Sequence, residues 1–189
     1  MKNPPADLAQ RLLNVSEHIL RADPPPRLED IAGQVGASRA TLYYYFAGRD
    51  DLLAFVLTAH AQHGAQAVQA SLRADDPPAQ RLRAMVSALA AYLGEHPGIC
   101  AGLLGALGAT GRMAEVLHAN DTWIAGPLRD LLREARTGTT NDDTADTANA
   151  ILGALLLAVL GRSMAGADPA DPEFRQRLTD HVLHGVLPR

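Results

Sequence analysis

Cysteine is almost absent, since Cys100 is the only one among 189 residues. A single cysteine excludes an internal disulfide, a CxxC redox pair and a cysteine-based zinc finger. Its apolar neighbours, Ile99, Leu103 and Leu104, favour an inert buried thiol, with an oxidant-sensing thiolate as the alternative. A chain that forms no disulfide suits a reducing compartment, so we expect a cytoplasmic protein.

Long hydrophobic runs are also missing. Residues 1–10, MKNPPADLAQ, lack the apolar segment of a secretory signal, and no uninterrupted apolar run reaches the roughly 18 residues that cross a bilayer. We therefore expect no membrane partner. The longest such run, AILGALLLAVLG at 150–161, is apolar on every side of a helix and must be covered by protein. A second copy of the chain is the simplest cover, which predicts a homodimer through the last two helices.

Positive charge is scarce as well. The formal net charge is −4, and residues 1–50 carry six basic and six acidic side chains. Non-specific binding to phosphates needs an excess of Lys and Arg, so this composition argues against a general nucleic-acid binder. Any contact with DNA has to be local.

Alternating strand patterns are missing throughout the chain. Apolar residues instead recur every three or four positions in segments that proline separates, which predicts an all-α fold of about nine helices. We expect a three-helix domain at 1–50 and a larger helical domain at 51–189. Pro127 should remove a backbone hydrogen bond and kink the helix around it.

Signatures of enzymes, metals and cofactors are equally scarce. The glycines at 102, 105, 108 and 111 do not form a nucleotide-binding GxGxxG, and no serine elbow or supported carboxylate pair nominates a catalytic group. His60 and His63, like His181 and His184, are spaced three apart, yet neither pair has the glutamate of HExxH or a nearby cysteine. We expect no enzyme, no metal and no cofactor, and interpret the histidines as polar or interface residues.

One stretch stands out against these absences: ASRATLYYYFAGRDDL at 37–52, with three consecutive tyrosines. Gly36 is placed to leave the preceding helix in a left-handed conformation, and Ser38 is a good N-cap for the next helix, at 38–46. A helix, a brief glycine-containing turn and a second helix follow one another, which is the pattern of a helix-turn-helix.

The tyrosines are explained by the angular positions on this helix. At about 100° per residue, Leu42 and Phe46 define a core-facing side near 60° when Ser38 is set at zero. Tyr44 then points away from the core, at about 240°, while Tyr43 and Tyr45 lie on the two flanks. Tyrosines on the flanks could reach phosphates at the walls of a DNA groove.

The stretch IAGQVGASRATLYYYFAGRDDL at 31–52 resembles the signature of the tetracycline-repressor (TetR) family of bacterial regulators. The resemblance is close over residues 28–53 and extends beyond them only in helix count and apolar pattern. It implies a DNA-binding amino-terminal domain and a carboxyl-terminal domain that dimerises and binds a small molecule. By the same resemblance, base edges are contacted by Ser38, Arg39, Ala40 and Tyr44, and phosphates by Thr41, Tyr43, Tyr45 and Arg49.

Two positions depart from the family pattern. Arg27 stands where Ser or Thr often caps the second helix, so we expect a frayed start or a side chain that reaches a phosphate. Gly48 stands where Ser often caps the fourth helix, and glycine is an acceptable substitute that costs a few tenths of a kcal/mol, as an order of magnitude.

The candidate ligand site lies on helices flanking Pro127, where adaptable apolar side chains accompany a few polar ones. Its residues are Met85, Leu89, Tyr92, Met113, Leu117, Asn120 and Trp123, with ordinary core packing as the alternative. Together these features predict a homodimeric, ligand-responsive repressor that binds a palindromic operator in double-stranded DNA. The competing hypotheses are a helical protein-binding adaptor and an enzyme, both without sequence-specific DNA binding.

Overall fold

The computed structural model describes residues 3–22, 24–106, 112–135 and 141–184. Two of the glycines considered above, at 108 and 111, lie outside these ranges. The described ranges contain helices and no strand, so the all-α prediction is confirmed.

The helices fall into two groups, one at each end of the chain. The first group is α1 (Ala6–Asn14), α2 (Ser16–Arg21), α3 (Leu28–Gln34), α4 (Arg39–Tyr45) and α5 (Arg49–Ser71). The second is α6 (Pro78–Glu95), α7 (Gly98–Ala106), α8 (Met113–Asn120), a π-helical turn (Asp121–Ala125), α9 (Gly126–Ala135), α10 (Asn141–Met164) and α11 (Pro172–Leu183). Only Val15 separates α1 from α2, and α8 to α9 is continuous. Counted this way, the described residues form nine helical units, as the sequence predicts.

The first hydrophobic cluster holds the amino-terminal helices together. Leu8, Leu12, Ile19, Ile31 and Leu42 are buried within it. The cluster continues into the first half of α5 and into α7, where Leu52, Val56 and Ile99 belong to it. The amino-terminal unit, α1 to α4, therefore packs directly against α7 of the second group.

The second cluster lies among α6, α9, α10 and α11. Leu82, Met85, Leu128, Leu132 and Leu155 are fully buried there. The 23-residue α5 spans both clusters, because its amino-terminal half packs into the first and Val68 into the second. This long helix connects the two cores.

Pro127 explains the π-helical turn that precedes it. Proline has no N–H to donate, and its ring clashes with the carbonyl four residues earlier in a regular helix. The chain widens instead, so that the N–H of Gly126 donates to Asp121 O, five residues back. A β-carbon at Gly126 would lie 2.9 Å from that carbonyl oxygen, so this widened turn favours glycine. Such turns are frequent at functional sites.

Helix α10 is apolar and incompletely covered within one chain. Its Asp143–Met164 segment has a mean hydropathy of 1.5 over its most apolar window, of which 28% is buried. By length and composition alone this segment could cross a membrane. The sequence did not predict this, because its uninterrupted apolar run is only 12 residues long. One such helix does not indicate a membrane protein, because helices of soluble proteins meet the same criterion. Leu157 and Met164 are 58% and 79% exposed.

Candidate DNA interface and effector cavity

The turn between α3 and α4 is closed by its own backbone. Gly36 has φ = +61°, as predicted, and Ala37 N–H donates to Ala32 O at 2.9 Å while Gly36 N–H donates to Gly33 O at 3.3 Å. These two bonds form a Schellman motif, which satisfies carbonyls at the end of α3. The guanidinium of Arg11 on α1 donates to Val35 O at 2.5 Å. The angle between α3 and α4 is therefore fixed by the backbone bonds of the turn and by the Arg11 side chain from α1.

The start of α4 follows the predicted capping. The Ser38 hydroxyl accepts from the Thr41 backbone N–H at 3.0 Å and is 2.8 Å from the Thr41 hydroxyl. An N-cap bond of this kind stabilises a helix by about 1 kcal/mol. Because α4 has only seven residues, this one cap contributes a large share of the stability of its first turn.

The starts of α3 and α5 are capped from inside the helix. Asp30 accepts from the Arg27 backbone N–H at 3.3 Å, and Asp51 accepts from the Ala47 N–H at 2.9 Å. In both helices a carboxylate at the third helical position thus accepts a backbone N–H from the residue at or just before the N-cap. The frayed start expected after Arg27 is not seen, because the backbone N–H groups of Asp30 and Ile31 both donate to Arg27 O at 3.1 Å.

The orientation of α4 agrees with the angular positions worked out from the sequence. Leu42 and Phe46 are fully buried, whereas Tyr43 is 50% and Tyr44 59% exposed. Tyr45 packs partly against the first cluster, and its ring meets the Tyr44 ring edge-on at a centroid distance of 4.9 Å. Tyr43 and Tyr44 therefore point outward, on a helix whose opposite side packs in the core.

Tyr43 is tied to the neighbouring helix α3. Its hydroxyl donates to Glu29 Oε1 at 2.8 Å. This hydrogen bond lowers the pKa of Glu29 and raises that of Tyr43. The Tyr43 ring is thereby held at one flank of α4.

The remaining candidate DNA contacts differ in their exposure. Ser38, Arg39, Ala40 and Arg27 are exposed, and Thr41 and Arg49 are half-buried. The Nε atom of Arg49 is buried and has no hydrogen-bond partner among the described residues. Arg39 and Arg49 place two positive charges at the start of α4 and the start of α5.

This helix-turn-helix matches the model of the family described as bacterial regulatory proteins, tetR family, over residues 27–56. Residues 27–56 are therefore similar to the DNA-binding segment of TetR-family regulators. This match indicates a DNA-binding transcriptional regulator. No protein with curated functional data matches the sequence.

Solved structures extend this likeness over nearly the whole chain. A TetR-like transcriptional regulator from Rhodococcus sp. RHA1 has 20% identity and a TM-score of 0.69, covering 98% of each chain. PfmR, a TetR family regulator from Thermus thermophilus, has 20% identity and a TM-score of 0.66, covering 97% of this chain and 100% of its own. The fatty acid degradation regulator FadR from Bacillus halodurans has 16% identity and a TM-score of 0.73, with 95% and 97% covered. At these identities the likeness establishes the fold alone.

The carboxyl-terminal part of the chain surrounds a cavity of about 90 Å³. Its walls come from α5, α6, α7, α8, the π-helical turn and α10. They are lined by Leu57, His60, Ala61, Gly64, Leu89, Tyr92, Leu93, Ile99, Leu103, Val116, Asn120, Ile124, Leu152 and Leu156. Three of the seven ligand-site candidates, Leu89, Tyr92 and Asn120, come together here.

The other four candidates lie elsewhere. Met85 is buried in the second cluster, and Met113 packs against the first. Leu117 and Trp123 are exposed on the outer side of α8 and the π-helical turn. The cavity instead uses Val116 and Ile124, each one residue from an exposed candidate.

A buried polar chain crosses from the cavity to the amino-terminal helices. His60 Nδ1 lies 2.8 Å from the Tyr92 hydroxyl, and His60 Nε2 lies 2.9 Å from the Ser16 hydroxyl on α2. Burial, with His96 and His63 nearby, lowers the pKa of His60 to about 4. Burial also raises the pKa of Tyr92. Nothing in the sequence pairs Ser16 with His60, so this link was not predicted.

The remaining sequence candidates have ordinary environments. Cys100 is fully buried, as predicted, and burial raises the pKa of its thiol to about 12. The exposed His181 lies 2.7 Å from Arg177 O on its own helix. Among the described residues, no group of three metal-ligating side chains occurs.

Proposed function

We propose that this regulator is a homodimeric, ligand-responsive repressor that binds a palindromic operator through its paired α4 helices. The observation that carries the proposal is the outward side of α4, where Arg39 and Tyr44 are exposed while Leu42 and Phe46 anchor the helix from behind. In this proposal residues 1–50 bind DNA, and residues 51–189 bind the effector and the partner subunit.

Base recognition is assigned to the first turn and outer face of α4. An arginine at the start of a recognition helix can donate two hydrogen bonds to O6 and N7 of a guanine. Arg39 is the proposed base reader, supported by Ser38, Ala40 and Tyr44. Thr41, Tyr43, Tyr45, Arg49 and Arg27 are the proposed phosphate contacts, which position the helix without reading sequence.

The dimer is proposed to form through α10 and α11. Leu157 and Met164 are exposed apolar side chains about two helical turns apart on α10, and exposed apolar surface on a helix is a candidate interaction site. A second copy related by a two-fold axis would pair α10 and α11 with their counterparts as a four-helix unit. This cover is what the apolar composition of α10 requires.

The response to an effector is proposed to be geometric. Two recognition helices must meet half-sites about 34–36 Å apart, which is one turn of DNA. Because α5 belongs to both clusters and lines the cavity, a ligand that displaces α5 would change the separation of the two α4 helices. The ligand needs only a different affinity for the two arrangements to alter operator occupancy.

Footprinting on a library of genomic fragments tests this function. We expect protection of a palindrome whose half-sites are one helical turn apart, and weaker, less sequence-selective protection when Arg39 is replaced by alanine. Absence of sequence-selective protection across the library would favour an adaptor or an enzyme on the same scaffold.

A further inference from the structure

The cavity touches the amino-terminal helices at one polar point. His60 and Tyr92 both line the cavity, whereas Ser16 lies behind His60 on α2. Ser16 and His60 are 2% and 4% exposed. Their hydrogen bond therefore joins a wall of the cavity to the core of the DNA-binding helices without passing through solvent.

A neutral imidazole has one hydrogen-bond donor and one acceptor, so His60 donates to one of its two neighbours, Tyr92 or Ser16, and accepts from the other. With the proton on Nδ1, His60 donates to the Tyr92 oxygen and accepts from the Ser16 hydroxyl. With the proton on Nε2, it donates to Ser16 and accepts from the Tyr92 hydroxyl. Both arrangements fit the distances of 2.8 and 2.9 Å.

The two tautomers differ in what Tyr92 offers to a molecule in the cavity. When His60 donates from Nδ1, the Tyr92 O–H is available for an acceptor in the cavity. When His60 accepts at Nδ1, that O–H is already used and Tyr92 offers only a lone pair. Ser16 changes at the same time, from hydrogen-bond donor to acceptor of the bond with His60. When Ser16 is the acceptor, its own hydroxyl hydrogen can be donated to a backbone carbonyl of the helix.

The lining also limits the charge of the occupant. Its polar side chains are His60, Tyr92 and Asn120, and none of the lining residues named above is Asp, Glu, Lys or Arg. A buried charge without a partner costs several kcal/mol, as an order of magnitude. An uncharged, mainly apolar molecule with one hydrogen-bonding group matches this wall, whereas a carboxylate does not.

We propose that the effector is a neutral apolar molecule carrying one hydrogen-bond acceptor, and that Tyr92, His60 and Ser16 report its presence to α2 by reversing their hydrogen bonds. The acceptor takes the Tyr92 O–H, His60 then donates from Nδ1, and Ser16 donates to Nε2. No bond other than hydrogen bonds changes, and the proton on the imidazole moves to the other ring nitrogen by exchange. His60 and Ser16 act here as positioning residues.

This inference rests on the proposed ligand response, but its first test needs no DNA. Three probes of similar size are compared on the full-length protein: acetophenone, a neutral acceptor; ethylbenzene, which has no hydrogen-bonding group; and benzoate, which is charged. Long-range ¹H–¹⁵N spectra of histidine-labelled protein distinguish the Nδ1–H and Nε2–H tautomers of His60. We expect acetophenone to bind more tightly than benzoate and to enrich the Nδ1–H form, and ethylbenzene to leave the tautomer ratio of the unliganded protein unchanged.

Two variants separate binding from reporting. Tyr92→Phe removes the hydroxyl that meets the probe, so this variant should bind acetophenone no more tightly than ethylbenzene, whereas wild type should bind acetophenone more tightly. Ser16→Ala lies outside the cavity, so acetophenone affinity should change less than about threefold while the effect of the probe on operator affinity falls at least about fivefold. Ser71→Ala is the control, because its hydroxyl donates to Val68 O within α5.

Benzoate binding as tightly as acetophenone, or no binding of any of the three probes, overturns the effector class. An unchanged tautomer ratio with bound acetophenone overturns the reversal, even if an operator is found. Conversely, a tautomer change in a protein that protects no operator leaves the reversal standing and removes the proposed regulatory use.

Discussion

The carboxylate of Glu17 on α2 accepts the backbone N–H of Gly98 at the start of α7, at 3.0 Å to one oxygen and 2.9 Å to the other. A β-carbon at Gly98 would lie 2.8 Å from this carboxylate, so the approach suits glycine. The contact joins α2 to a helix that lines the cavity. Together with the Ser16–His60 bond, it connects α2 to the helices that line the cavity at two neighbouring residues.

Glu17 makes the stability of the protein depend on pH. Burial raises its pKa, and the bond from Gly98, with Arg21 and His96 nearby, offsets part of the rise. Because the folded state then holds this proton more strongly, Glu17 contributes stability at pH below about 4.5 that is lost as pH rises through the raised pKa. We expect the free energy of unfolding of wild type, relative to Glu17→Gln, to fall between pH 4 and pH 7 in urea titrations. Glu173→Gln, at an exposed position, controls for the loss of one charge; a rise instead of a fall would contradict the assignment.

His60 has the opposite dependence. Its pKa is lowered from 6.5 to about 4, mainly by burial, so the unfolded state takes up a proton at a higher pH than the folded state. The stability that neutral His60 contributes is complete above pH 6.5 and is lost as pH falls to 4, by up to about 3 kcal/mol. We expect His60→Gln to lack this loss in urea titrations at pH 7 and pH 4.5. Equal losses in wild type and variant would show that His60 is not the group responsible; His118→Gln, at an exposed position, is the control.

Arg39 and Arg49 should affect DNA binding differently. Arg39→Ala should cost about 1–3 kcal/mol and flatten preference at one base pair, because it removes a base contact. Arg49→Ala should weaken all sequences alike and lower the salt dependence by about one released counterion. Fluorescence titrations on the footprinted operator and on point variants of it measure both effects. Arg133→Ala on α9 is the matched control, and identical profiles for the first two variants would refute this division of roles.

Gly36 should be the sensitive glycine of the helix-turn-helix. Its φ of +61° is left-handed, so Gly36→Ala should destabilise the protein by about 1–2 kcal/mol. Gly33→Ala is the control, since nothing lies within 4 Å of a β-carbon there and alanine favours helix over glycine. Thermal unfolding should give a lower midpoint for the first variant and an equal or higher one for the second. The reverse order would mean that this turn does not limit stability.

Leu157 tests the proposed subunit interface. Leu157→Arg places a charge on the exposed apolar side of α10, and we expect sedimentation velocity to show monomers where wild type gives dimers. Leu117→Arg introduces the same change at another exposed leucine, on α8, and should leave the dimer intact. Dimers in both variants would place the interface on another surface.

The helix-turn-helix was predictable because its determinants are local. A serine cap, a left-handed glycine and the four-residue spacing of Leu42 and Phe46 act within one or two helical turns. The cavity was only partly predictable. Leu89, Tyr92 and Asn120 line it, but Leu117 and Trp123 are exposed while their neighbours Val116 and Ile124 face inward. The π-helical turn before Pro127 changes the angular positions that a regular helical period assumes.

The amino-acid sequence by itself determined the all-α fold, the position of the helix-turn-helix and which side of α4 faces outward, because these follow from backbone preferences and short-range spacing. Only the tertiary structure decided which side chains enclose the cavity and that Ser16 meets His60, 44 positions away. Contacts between distant segments depend on how several helices pack at once, and a buried hydroxyl and imidazole find each other only when that packing removes them from water.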